Sequence, residues 1–449
     1  MAIFAWGVLS YINSYGIFKN KDMSILIKIS VIFFSTLHIL CLANKPGELP
    51  VWETGMLDIH FINTGAGNCI FSILPDGTTL LIDAGEQDPT SPRVLSPRNT
   101  PRYPNYSNLG YQWQADYILS MLSDKKPEID YALITHFHSD HYGGMYPGIA
   151  KSETGNYYLS GITGVGDIIP VKVLIDRGWY YPVDLKAHAV SNRERFSSLL
   201  NYWDFVTHHQ NKNDLQYQQF EVGANNQFSL VHAPEKYQNF SIRNINANGI
   251  VWNGDNHSKF ISRMPDTSTV IATGNIPGEN ALSCGILMEY GPFRFYTGGD
   301  IQGKQPDFMN KPEWFDMESL VGPVVGEVDV TTANHHANRD AMSENYLAIL
   351  KPRVIIQEVW SSDHPGHEAL LRMTSKKIWE EERDLFATNM LESNRLVIGN
   401  LIDESYRSMH GHIVLRVMPG GKDYYIYILN HQDEERKVKS VFGPYLSKK

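Results

Sequence analysis

The chain has 449 residues, is 42% hydrophobic and carries 39 basic against 49 acidic side chains, for a formal net charge of −10. That length and apolar content suffice for one large domain or two to three ordinary ones, each with a core. The acidic balance excludes a protein whose main purpose is to coat nucleic acid through phosphate contacts, while leaving room for a local basic groove.

Residues 24–43 form a mostly apolar run preceded by Lys19 and Lys21, and it ends Cys41-Leu42-Ala43. Small residues at the two positions a signal peptidase reads make it a secretory signal cleaved near Ala43, beginning at Met1 or at Met23. The mature chain is then extracytoplasmic, periplasmic or secreted, with no stable membrane partner. An uncleaved anchor through 24–43 is the alternative, but Lys28 and His38 within the run make a poor membrane span of ~20 residues. Cleavage leaves Cys69 and Cys284, either paired or as free thiols.

Residues 56–74 read as strand, turn, strand, with the break at Asn63-Thr64-Gly65-Ala66-Gly67-Asn68. After the turn Pro75-Asp76-Gly77, a third strand (78–82) delivers Asp83-Ala84-Gly85 at its end. Residues 86–110, rich in Pro, Arg, Asn and Ser, read as a long loop, and a helix is expected over 114–122. The apolar, β-branched run 129–134 is a buried strand. It feeds Thr135-His136-Phe137-His138-Ser139-Asp140-His141-Tyr142-Gly143-Gly144, three imidazoles and a carboxylate within six positions. Neutral imidazoles and a carboxylate suit a borderline metal such as zinc, and H-x-H-x-D-H can serve two adjacent ions.

A strand over 168–175 ends in Asp176-Arg177-Gly178, and 178–275 reads as insertions, with a helix over 191–208 and short β-like runs such as 228–232. Core strands resume at 281–289 and 293–297, the second ending in Gly298-Gly299-Asp300. Strand 328–333 ends in Asn334-His335-His336, and strand 352–359 in Trp360-Ser361-Ser362-Asp363-His364-Pro365-Gly366-His367. Five strands therefore end in metal or acid–base chemistry, which marks an active site. Asp83 is read as a buttress that fixes the imidazoles by hydrogen bonds without being a ligand.

With these residues assembled, the chain resembles the metallo-β-lactamase superfamily, through Asp83 in Leu-Ile-Asp-Ala-Gly, the His136 to His141 motif, Gly299-Asp300 and His335-His336. More narrowly it resembles the extracytoplasmic hydrolase domain of ComEC and its stand-alone relatives. That likeness rests on the 61–68 turn, Glu279-Asn280-Ala281-Leu282-Ser283, His335-His336 and His364-Pro365. The resemblance implies an α/β (α+β) fold, a four-layer αββα sandwich over 56–430 with insertions at about 86–110 and 178–275 and a C-terminal tail at 431–449. It implies two metal ions, zinc or else manganese or iron. His136 and His138 would bind one, Asp140 and His141 the other, with Asp300 bridging and His335 completing the second. Asp140 thus stands among the residues of catalysis as well, with His336 and His364 to donate a proton to the leaving oxygen or to hold a phosphate; the alternative for His336 is that it only hydrogen-bonds behind His335. The chain departs from the superfamily where a further His would precede the bridging Asp: Gly278-Glu279-Asn280 stands there. Asn280 is there a metal or substrate contact, or the first ion has one ligand fewer and binds more weakly, or one of His208, His209 and His232 fills the place from the inserted region. A second departure is Asn63 and Ala66, where that branch's turn usually carries Asp and Gln.

The function implied is a metal-dependent hydrolase using a metal-bound hydroxide, foremost a phosphodiesterase on a nucleotide, a nucleic-acid strand or a phosphorylated small molecule. Lactone or β-lactam opening is the acyl alternative, and a silent binding protein the alternative of another class. The N-terminal reading is testable at once: the exported protein should have an intact mass corresponding to a start near Asn44, and a mass retaining 24–43 would favour the anchor.

Overall fold

Leu57, Ile59 and Phe61 alternate along the chain with Asp58 and His60, and all five are buried. A period of two sends the apolar set to one face of a sheet and the polar pair to the other, so the strand must be covered on both sides. The computed structural model shows how. It describes residues 47–448 except 66, 123–126, 256–259 and 306–309, so the expected signal at 24–43 and Ala66 of the first turn lie outside the described residues. The chain divides into two units after Val51, and the described strands and helices all belong to the unit from Trp52 onward.

The strands in chain order are β1 (Leu57–Phe61), β2 (Ile70–Ile73), β3 (Thr79–Ile82), β4 (Ile129–Ile134), β5 (Val171–Asp176) and β6 (Gln216–Gln219). Then come β7 (Phe240–Ala247), β8 (Ile250–Trp252), β9 (Phe260–Ser262), β10 (Gly285–Tyr290), β11 (Phe293–Thr297) and β12 (Val330–Thr332). The last are β13 (Val354–Gln357), β14 (Asp384–Ala387), β15 (Tyr406–Ser408), β16 (His412–Val417), β17 (Asp423–Leu429) and β18 (Val438–Leu446). They make two nine-stranded sheets, ordered β18-β17-β16-β1-β2-β3-β4-β5-β6 and β15-β14-β13-β12-β11-β10-β7-β8-β9. In each, antiparallel pairing gives way to a parallel run, β3 to β6 in one and β11 to β15 in the other.

One apolar core joins the facing sheets, with Leu57, Ile59, Phe61 and Leu133 meeting Ile286, Met288, Phe295 and Ile356. The Phe61 and Phe295 rings meet edge to face at 6.2 Å. A second core, including Leu287, Tyr296, Val321, Tyr346 and Leu370, lies between the second sheet and its helices Glu318–Val325, Glu344–Leu350 and His367–Thr374. Helix Gly110–Met121 covers the polar side of β1, where His60 Nδ1 and the Tyr117 hydroxyl are 3.0 Å apart. The result is a mixed α/β sandwich of helices on two large sheets. Among the described residues no helix is long and apolar enough to cross a membrane.

Four expectations are corrected. The segment 178–275 is more than an insertion, because it supplies β6 at one sheet edge and β7, which pairs with β10 in the second sheet. The tail expected at 431–449 supplies β18, which pairs antiparallel with β17. Residues 228–232 form no strand, although Phe228 and Leu230 pack into the core. Helix Gly110–Met121 starts four residues early, because the buried Glu86 carboxylate accepts from Gly110 N (3.0 Å) and Tyr111 N (3.3 Å) and satisfies its first amides from outside.

Asp58, on the polar side of β1, pairs bidentately with Arg416 of β16 (2.8 and 2.6 Å), both almost fully buried. Removing one member strands the other charge, so Asp58→Ala should lower unfolding free energy by about 3–5 kcal/mol. Chemical denaturation measures this, and a loss under about 1 kcal/mol would contradict the pairing.

Candidate metal centre

The ends of four parallel-run strands build the centre. β3 delivers Asp83 at φ 59, outside the conformations a carboxylate residue prefers, and Asp83 N still donates to Leu133 O of β4. Its Oδ1 accepts from Thr135 N (2.8 Å), and its Oδ2 from Thr135 Oγ1 (2.7 Å) and His141 Nδ1 (2.6 Å). Beyond β4, the single turn Ser139–Tyr142 brings Asp140 and His141 round beside His136. Asp140 O accepts from Asn68 N (2.8 Å), and a Cβ on Gly85 would stand 1.9 Å from that oxygen, so the loop seats only on glycine.

Asp300 follows β11, and its Oδ2 lies 3.2 Å from His141 Nε2, 3.5 Å from His336 Nε2 and 3.7 Å from His136 Nε2. His336 Nε2 is also 3.2 Å from Asp140 Oδ2. Two overlapping donor sets result. Asp140, His141, Asp300 and His336 form one, all buried, and His136, His138 and Asp300 form the other, with His138 exposed. In each, the donor atoms lie within 4.8 Å of one another.

The second set of the sequence reading therefore needs a correction: His336, and not His335, joins Asp140 and His141. The cause is local backbone. His335, His336 and Ala337 all have positive φ (46, 55 and 57), which turns successive side chains differently from an extended exit after β12. Such residues cost of order 1–3 kcal/mol each and persist only where surroundings hold them. Here buried Glu318 holds the loop, accepting from Asn334 Nδ2, Met342 N and Ser343 N at 2.7–2.9 Å. His335 instead donates from Nδ1 to Asp340 Oδ1 (2.6 Å), and its Nε2 accepts from Asn280 Nδ2 (3.0 Å).

The donor sets fit metal ions. His141 gives its Nδ1 proton to Asp83, and His336 Nδ1 lies 3.2 Å from Glu358 O, so each turns an Nε2 lone pair toward carboxylates. His141 Nε2 and Asp300 Oδ1 are buried without a hydrogen-bond partner. Acceptors so placed repel unless a metal ion or a proton lies among them. The same field shifts the proton affinities of these groups. Burial opposes charge on His141, but Asp300, Asp83 and Asp140 outweigh it and hold its pKa well above the ordinary value. His336 is likewise pushed up to about 10, burial being overcome by Asp300 and Asp140. Burial alone would raise Asp300, yet His141 and His336 hold it well below the carboxylate range.

His364 stacks on His336 (4.5 Å between centroids, 9°), and its Nδ1 is buried without a partner. Burial and the neighbouring His336 hold its pKa well below 6.5. Asn280 Oδ1 is buried and unpartnered beside His335. His208, His209 and His232 stand in neither donor set. His209 contacts Tyr157 and Asn213, and His232 lies 3.8 Å from Asp130. Cys69 and Cys284 are buried free thiols.

Sequence reasoning missed Glu279, Arg177, Asp340 and Trp360. Fully buried Arg177 pairs bidentately with Glu279 (2.6 and 2.9 Å), and Glu279 Oε1 also accepts from Phe137 N (3.0 Å), between His136 and His138. Arg177-Gly178 at a strand end and an acid before Asn280 were the only signals available.

Residues 62–158 match the family model described as the metallo-beta-lactamase superfamily, the stretch that carries His136 to His141. Over those residues the chain is similar to the metallo-β-lactamase superfamily. Its two sheets with helices accord with the metallo-β-lactamase sandwich, and its buried His and Asp cluster could hold a metal ion. Solved structures similar to it include a mutant of the CmlA beta-hydroxylase (11% identity, TM-score 0.35), which covers 82% of this chain, whereas this chain spans 55% of the hydroxylase. Zn(2+)-bound PqqB from Methylobacterium extorquens has 11% identity and TM-score 0.36, covering 80% of this chain and 99% of its own. Human tRNase Z, short form, has 12% identity and TM-score 0.28, covering 66% and 91%. No curated protein matches the chain.

Because the centre holds four donors in one set and three in the other, two metal affinities are expected. In competitive chelator titrations with zinc as the probe ion, His336→Ala should weaken the tighter site at least about tenfold, while His335→Ala should keep it. Loss with His335→Ala and retention with His336→Ala would reverse the assignment.

Proposed function

We propose that the chain is a binuclear zinc phosphodiesterase. The observation that carries this reading is the sharing of Asp300 Oδ2 between two donor sets, His136 and His138 on one side and Asp140, His141 and His336 on the other. Two divalent cations so held would lower the pKa of water to near neutrality and offset charge on both the attacking and the leaving oxygen of a phosphoryl group.

The chain's own residues then divide the remaining work. Asp83 and Thr135 fix the tautomer and direction of His141. Glu279 pins the backbone between His136 and His138, and its carboxylate neutralises the fully buried Arg177. His364, stacked behind His336, presents a neutral imidazole that can hold a phosphate oxygen. The substrate is a phosphodiester of a nucleotide, a nucleic-acid strand or a phosphorylated small molecule. The ComEC-like affinity and the extracytoplasmic location belong to the same proposal, resting on the 61–68 turn apart from Asn63 and Ala66, on Glu279 to Ser283, on His364-Pro365 and on residues 24–43.

Zinc-loaded protein should cleave bis(p-nitrophenyl) phosphate in preference to a chromogenic β-lactam or a lactone. Asp300→Asn should lower kcat/KM about a thousandfold, the several kcal/mol of a metal clamp, in protein that remains folded. Robust lactam turnover without phosphodiester cleavage would overturn the reading, as would unchanged turnover in the variant.

A further inference from the structure

We infer that Trp360, Arg93 and Arg98 form an oxyanion-binding edge beside the His336 end of the centre, selecting a negatively charged phosphate ester. The inference deepens the phosphodiesterase proposal and rests on it.

Trp360 leads out of β13, and its Nε1–H donates to His336 Nε2 at 3.3 Å. That nitrogen has one lone pair. When a metal ion takes it, the indole N–H loses its acceptor at a half-buried position where an unpaired donor is costly. A substrate oxygen beside the ion is the acceptor that restores the bond. Trp360 is held for this role from both sides: its ring meets His364 edge to face at 5.0 Å and His336 at 5.8 Å.

The loop opposite supplies charge and is itself fixed. Thr100 N donates to Trp360 O (3.0 Å), Ser362 N donates to Arg98 O (2.7 Å), and Asn99 and Ser361 form a β-bridge. The stretch from Arg93 to Thr100 is thereby zipped to the stretch from Trp360 to Ser362. The Arg93 guanidinium lies over the Trp360 ring at 6.0 Å, and Arg98 Nε reaches Ser362 Oγ at 3.5 Å. Both arginines are exposed, and among the described residues neither has a carboxylate within ion-pair distance. Asp363, in the same loop, feels Arg93 only at longer range. On a chain of net charge −10, two guanidiniums without ion pairs beside an N–H aimed at the centre make a local positive edge. Planar guanidinium forks match the oxygens of a phosphate. A neutral lactone or lactam offers nothing for them.

The test uses the zinc-loaded full chain with inorganic phosphate as the probe, by calorimetry, alongside bis(p-nitrophenyl) phosphate and neutral p-nitrophenyl acetate in kinetics. Arg93→Ala/Arg98→Ala should weaken phosphate binding roughly tenfold, with zinc content retained. It should cut kcat/KM for the phosphodiester more than for the acetate. The wild type's phosphate affinity should fall with added salt and the double variant's much less. Trp360→Phe keeps an aromatic ring and removes the indole N–H, and should weaken phosphate severalfold while zinc content is retained. Unchanged phosphate affinity in the zinc-replete double variant would overturn the arginine edge, and unchanged affinity in Trp360→Phe would overturn the role of the indole. Wild-type protein that binds phosphate through these residues yet cleaves no phosphodiester would sink the proposed reaction and leave the edge standing.

Discussion

Lone pairs that converge on one carboxylate oxygen set the terms for the rest of the structure. Asp300 Oδ2 faces three imidazole nitrogens within 3.7 Å, and two of those imidazoles are locked by Nδ1 contacts so that they cannot turn away. Such a cluster is repulsive unless positive charge enters it. Holding it open takes rigid walls on all sides, and the two-sheet sandwich provides them: Asp83 and the 136–141 loop come from one sheet, Asp300 and His336 from the other. The apolar core shared by the sheets therefore does more than stabilise the fold. It sets the spacing across which the carboxylate is shared.

Local strain is the visible cost of that arrangement. Asp83, His335, His336 and Ala337 all lie at positive φ: Asp83 is held by bonds from Thr135 and His141, His335 by Asp340, and the carbonyls of His336 and Ala337 accept from Gln357 Nε2 and Gly366 N, while Glu318 fixes Asn334 at the start of the turn. Where the superfamily pattern expects another imidazole, this chain places Glu279 and Asn280. The two act differently: Glu279 ties Phe137 to Arg177, and Asn280 occupies His335. The three-donor set is thus supported through its backbone, not completed by a fourth ring.

Much of this was legible in the sequence. Period-two alternation located the first strands, β-branched runs located β4 and β13, and the dense His and Asp spacing after residue 134 announced the metal loop. Asp83 behind His141 follows from a strand that ends in an acid. What could not be read has physical reasons. The choice between His335 and His336 turns on three left-handed residues, which neither carry glycine nor signal themselves. β7 lies in a polar stretch whose alternation is masked by Arg243, Asn244 and Asn246, residues whose partners are far along the chain. The start of helix Gly110–Met121 depends on Glu86, 24 residues upstream of it. β18 looked like a tail because its burial is slight, and backbone pairing with β17, not an apolar face, holds it.

The central claim is that two metal positions share Asp300 and that His336 is the late histidine ligand. Anomalous diffraction at the zinc edge from crystals of the zinc-loaded chain tests it most directly. The account predicts two peaks on either side of Asp300, one bound by His136 and His138 and the other by Asp140, His141 and His336. Peaks elsewhere, or a zinc bound by His335 with His336 turned away, would contradict it.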